Sequence, residues 1–135
     1  MTAFTDSMET LLLDHIFRNT DYTRSGTLFV ALHTADPTEV GTTAEVTGNA
    51  YARQPIVTGA SSAWTAPSGG TVDNSGTIEF PAATPAEWGT ITHVSVHNAV
   101  TSGTALFYGT LTASKVISAS DIFRFDVGDL NIAFD

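Results

Sequence analysis

Cysteine is absent, so neither a disulfide nor a thiolate metal site can form. Positive charge is scarce. Five Lys and Arg stand against 14 Asp and Glu, giving a formal net charge of -9, and Lys115 is the sole lysine. A nucleic-acid backbone would be repelled, so no nucleic-acid partner is expected. Long hydrophobic runs are missing too. Leu11-Leu12-Leu13 is flanked by Glu9 and Asp14, far short of the ~20 apolar residues that span a bilayer. It also lacks the basic start of a secretory signal, so no membrane association is expected. Charge of either sign is thin, with only 14% charged residues against about 25% in typical domains. Thr, Ser, Ala and Gly take their place, and such a neutral surface suits close contact with other subunits.

Catalytic signatures are equally sparse. There is no Gly-x-Ser-x-Gly nucleophile elbow, no phosphate-binding Gly-x-x-x-x-Gly-Lys-Ser/Thr and no Gly-x-Gly-x-x-Gly. Glu79 and Glu87 are the only glutamates after residue 50, and neither lies in an aromatic-lined motif of the kind glycoside hydrolysis uses. The expectation is a non-enzyme without a cofactor.

What is present points to one β-rich domain. The chain has 135 residues, 42% of them hydrophobic, enough for a proper core. Met8, Leu11, Leu12, His15 and Ile16 share one helical face. Asp6 and Glu9 resemble a capping box, so a helix over 6–18 is predicted. Beyond it the period changes. Thr27 to Thr34 is a nearly continuous apolar run, as in a central strand. Tyr51 to Thr58 carries Pro55 and suits a sheet edge. Thr77 to Pro81 alternates, as does Thr90 to His97. The latter places Thr92, Val94 and Val96 on one face and Ile91, His93, Ser95 and His97 on the other. With Thr104 to Leu111 it forms the clearest hairpin. Lys115 to Ser118, Asp121 to Phe125 and Leu130 to Phe134 complete the set. The predicted fold is mainly β: an antiparallel, jelly-roll-like β-sandwich over 21–135, with a short N-terminal α-helix in a helical segment over 1–20.

The candidate site residues are contact residues. His93 and His97 are four apart, which on a helix would suit a shared metal ion. On a strand their Cα atoms lie about 13 Å apart, too far for one zinc ion, so no metal is expected. A strand face at an interface is the preferred reading. Asp36, Glu39 and Glu45 read as solvated acids of a long loop over 35–50, since calcium-loop spacing is missing. Trp64 and Trp88 flank Pro/Gly-rich corners and read first as core plugs, second as exposed anchors. The contact set is Leu12, Ile16, Asp36, Pro37, Trp64, Trp88, His93 and His97.

A family resemblance begins at Leu28-Phe29-Val30-Ala31-Leu32-His33-Thr34-Ala35-Asp36-Pro37. It continues through Glu45-Val46, Gly48, Tyr51-Ala52-Arg53-Gln54, Trp64-Thr65-Ala66-Pro67, Gly69-Gly70-Thr71-Val72 and Phe80-Pro81-Ala82-Ala83. It ends with Trp88-Gly89-Thr90-Ile91-Thr92-His93 and Leu106-Phe107-Tyr108-Gly109. This ordered set resembles small virion structural proteins of tailed bacteriophages and prophages, often labelled tail fibre proteins. The resemblance implies a virion subunit assembled in the bacterial host cytoplasm, with no catalytic residues. The compact, repeat-free chain suits a capsid cement or decoration protein first. A tail-fibre or tail-tip protein, or a receptor- or carbohydrate-binding module, comes second. The expected partners are its own copies, as a homotrimer, and virion proteins such as the major capsid protein or tail proteins.

Overall fold

The computed structural model describes residues 2–59 and 62–133. Among them the chain is mainly β, with nine strands and one helix. The largest sheet has five antiparallel strands in the order β1-β7-β6-β2-β3. These are β1 (Thr2–Phe4), β2 (Thr27–His33), β3 (Gln54–Val57), β6 (Gly89–His97) and β7 (Ala105–Ile117). A second layer consists of two short antiparallel ribbons, β4 (Thr71–Asp73) with β9 (Asn131–Ala133) and β5 (Ile78–Glu79) with β8 (Arg124–Phe125).

The core lies between one face of the large sheet and the β5–β8 ribbon. Val30, Leu32, Ile56, Val94 and Ile117 of the sheet meet Ile78, Phe80, Phe123 and Phe125. Phe80 is at its centre, with ring centroids 6.1 Å from Tyr51, 6.4 Å from Trp88 and 5.9 Å from Phe123. Pro55 lies in β3 at the sheet edge, where its missing N–H breaks no ladder. Leu130 and Ile132 are both buried, while Phe134, expected on the same face, lies outside the described residues.

Helix α1 (Asp6–Phe17) forms near its predicted place, but it is capped one residue earlier. Thr5 is the N-cap: its hydroxyl accepts from the Met8 N–H at 3.3 Å and donates to the Ala105 carbonyl. The fully buried Thr5 thus links the helix start to β7, a role that exposed Asp6 cannot fill. Before it, β1 pairs with β7 from Thr2↔Gly109 to Phe4↔Phe107. Among the described residues no helix is long and apolar enough to cross a membrane.

The hairpin of β6 and β7 departs from simple alternation. A register shift between Ile91 and His93 moves their partners from Lys115 to Thr110. The Leu111–Ser114 segment absorbs the extra residues, so Lys115–Ile117 continues β7 instead of forming a separate strand. The same irregularity lets Ile91 join Val94 in the core, although the two are three residues apart.

The connection from β2 to β3 folds back over the sheet. Gly41 adopts φ +73 in it, and an added Cβ would lie 2.3 Å from the Ala105 Cβ and 3.1 Å from the Thr5 Cγ2. Gly41→Ala therefore combines left-handed strain with overpacking, and should lower stability by about 2–4 kcal/mol. A urea-unfolding midpoint equal to that of the parent would show that the loop does not seat on β7.

Candidate assembly surface and buried polar cluster

The face of β2 and β6 turned away from the main core carries polar side chains. His33 pairs in register with His93, and Ala31 with Ser95. Period-two alternation therefore brings His33, His93, Ser95 and His97 onto one face. The loop after β2 covers this face and buries His33, Ser95 and His97.

The hydrogen bonds fix where the protons reside. His33 Nδ1 is 2.8 Å from the Thr43 carbonyl oxygen. A carbonyl only accepts, so Nδ1 carries the proton and neutral His33 offers a lone pair at Nε2. The Ser95 hydroxyl, 2.7 Å away, donates to it. Ser95 Oγ is then free to accept from His97 Nε2 at 2.8 Å. This leaves the His97 Nδ1 with a lone pair, buried and without a hydrogen-bond partner. Burial lowers the pKa of both imidazoles, that of His97 to about 4, with Arg53 adding to the effect on His97.

An ion pair adjoins this chain. Arg53 Nε and Nη2 donate to the two Glu45 carboxylate oxygens, each at 2.7 Å. Arg53 Nη1 donates to the Ala99 and Ser102 carbonyls at 3.0 and 2.9 Å, tying the β6–β7 turn to the loop. Burial alone would raise the Glu45 pKa, but the hydrogen bonds and charge of Arg53 hold it below the ordinary carboxylate range. The Tyr51 hydroxyl donates to Glu45 at 3.2 Å and accepts from the Leu32 N–H at 2.9 Å. Glu45 is therefore not the solvated loop acid that the sequence suggested. Its partner lies eight residues on, and the fold between them is what joins the two.

The sequence-derived contact residues separate into two groups. Pro37, Trp88 and His97 are buried within the subunit, so they present no surface to a neighbour. The Trp88 indole N–H donates to the Asn49 carbonyl at 2.9 Å, consistent with its reading as a core plug. His93 is half-buried, between Thr92 and Thr110 hydroxyls at 2.8 and 3.1 Å. Asp36 is exposed and accepts from the Thr38 N–H at 2.8 Å, holding a local turn. Trp64 is half-buried on the wall of an apolar groove of about 350 Å3, with Leu28, Pro67, Val72, Val96, Phe107 and Ile132. Leu12 is half-buried and Ile16 exposed.

The helix provides the more exposed apolar surface. Only Met8 is buried in α1, while Leu13, Ile16 and Phe17 are 56%, 65% and 75% exposed. The predicted apolar face is buried at Met8, half-buried at Leu11 and Leu12 and exposed at Ile16, because the fold places α1 beside the sheet edge formed by β1 and β7. Leu13 and Phe17 fall outside the predicted stripe, although their spacing of four already put them on one helical face. Among the described residues no group of three His, Cys, Asp or Glu is placed to hold a metal ion.

Comparison with known proteins agrees with a virion origin. No curated protein matches the chain. The family described as Gp80, Podophage GP4 fiber I protein gp80, matches residues 3–133. With all but two residues at each end aligned, the chain belongs to this family of phage virion structural proteins.

Proposed function

We propose that the chain is a fibre-associated subunit of a phage tail that works by packing against its neighbours, without a catalytic step. The family is described by a fiber protein, and this moves the fibre reading ahead of capsid cement. The observation that carries the packing role is the apolar end of α1, where Leu13, Ile16 and Phe17 are more than half exposed together. Large side chains clustered in this way mark interaction surfaces more often than scattered exposed ones do. The subunit is proposed to form a homotrimer and to contact other tail proteins, with the α1 end as part of those contacts. Capsid cement is the second reading, favoured by the compact fold and the low charged fraction of 14%.

Two measurements test these readings. Gold-labelled antibody on intact particles should mark the tail; label on the head would replace the fibre reading with cement. Ile16→Lys with Phe17→Lys should change subunit stability by no more than about 0.5 kcal/mol, since both residues are exposed and cations suit the C-terminal turn of a helix. The same pair should dissociate the oligomer in sedimentation. An oligomer that survives the double substitution would remove α1 from the contact.

A further inference from the structure

The polar chain under the loop has only one arrangement of its protons, and that arrangement has no place for another on His97. A proton at Nδ1 would create a buried cation with no acceptor. Burial, Arg53 and His33 oppose that charge, and Glu45 alone favours it. On β2 stands His33, with His93 beside it; from the loop side come Glu45, already engaged, and the Arg53 guanidinium. On β7 the residue opposite His97 is Ala105, which is uncharged. The turn over 98–104 contributes no titratable side chain.

The same atoms hold the covering segments in place. His33 Nδ1–H bonds the Thr43 carbonyl, Thr34 N–H the Ala44 carbonyl, and Val46 N–H the Leu32 carbonyl. Arg53 holds the 98–104 turn through Ala99 and Ser102. The aromatic core around Phe80 lies on the opposite face of the sheet.

We propose that the His33–Ser95–His97 chain is an acid-sensitive latch, which holds the 35–45 loop and the 98–104 turn on the sheet at neutral pH and releases them in mild acid while the aromatic core stays folded. The direction follows from which state takes the proton. The closed form keeps His97 neutral until about pH 4, whereas an opened loop returns it to the ordinary value of 6.5. Closure is therefore fully favoured above about pH 6.5 and weakens as pH falls toward 4. Glu45, held below the usual carboxylate range, adds to the loss only in stronger acid.

Hydrogen–deuterium exchange of the full chain, corrected for intrinsic rates, tests the latch. Between pH 7.5 and 5 the opening constant for the amides of Thr34, Gly41 and Thr104 should rise about 30-fold from His97 alone, while those of Val94 and Phe80 stay protected. His97→Gln, which keeps a donor toward Ser95 but does not titrate, should remove most of that rise. No rise, an equal rise in the core amides, or an unchanged rise in His97→Gln would each overturn the latch. Should that variant fail to fold, the imidazole resonances of the parent decide: a His97 ring titrating near 6.5 in the folded protein overturns the proposal.

Discussion

Arg53→Ala should lower stability by about 3–5 kcal/mol, a large share of the about 5–15 kcal/mol that holds a domain together. The loss comes from what the substitution leaves behind. The guanidinium is buried and supplies two of the three hydrogen bonds to the Glu45 carboxylate and one each to the Ala99 and Ser102 carbonyls. Without it, a largely buried carboxylate and two carbonyls have to find water or go unpaired. A double-mutant cycle separates these contributions. Adding Glu45→Gln to Arg53→Ala should cost about 1 kcal/mol or less, because the charge stranded by the first change is removed by the second. If the two effects simply add in urea unfolding, the ion pair is not a coupled unit.

Phe80→Ala should be comparably damaging, at about 3–5 kcal/mol, because it empties the middle of the aromatic cluster. Phe80 is 2% exposed and meets Tyr51, Trp88 and Phe123 ring to ring. Neighbours on the sheet and on the β5–β8 ribbon cannot both close the gap without breaking strand pairing. The fluorescence of Trp88 should change with the lost packing, and the thermal midpoint should fall by several degrees or more. Phe17→Ala removes the same ring from an exposed position and serves as the comparison, with a change within about 0.5 kcal/mol in the isolated subunit. Equal losses at the two positions would show that Phe80 is not central to the core.

The sequence revealed most where local pattern and burial coincide. The helix, the β2 run, the β3 edge and the β6–β7 hairpin all carry the periodicity of their final environment. Among the strands of two or three residues, β5, β8 and β9 lie within longer stretches that carry a strand pattern, whereas β1 and β4 do not and are not legible in the sequence. The sequence pattern likewise favours Asp6 over Thr5, which is the cap in the structure. The polar cluster was hidden for a different reason. His33 and His97 meet only because β2 and β6 pair in one particular register, and Glu45 reaches Arg53 only after the loop has folded over them. Strand spacing separates the two histidines on β6, whereas the hydroxyl placed between His33 and His97 belongs to tertiary structure. On the surface, solvent exposure distinguishes Ile16 from Pro37, and no count of residue types could do so.

The pairing of β1 with β7 also sets an order of events during synthesis. Thr2 and its partner Gly109 lie more than a hundred positions apart in the chain. Until β7 has been made the outer strand has nothing to pair with. The sheet gains that strand only after a long loop has been closed. Until then the outer side of β7 is an open template of N–H and C=O groups, available to a strand from another chain. Capture of residues 2–4 by their own β7 closes that template, so the edge is where an exchanged strand from a second copy would fit.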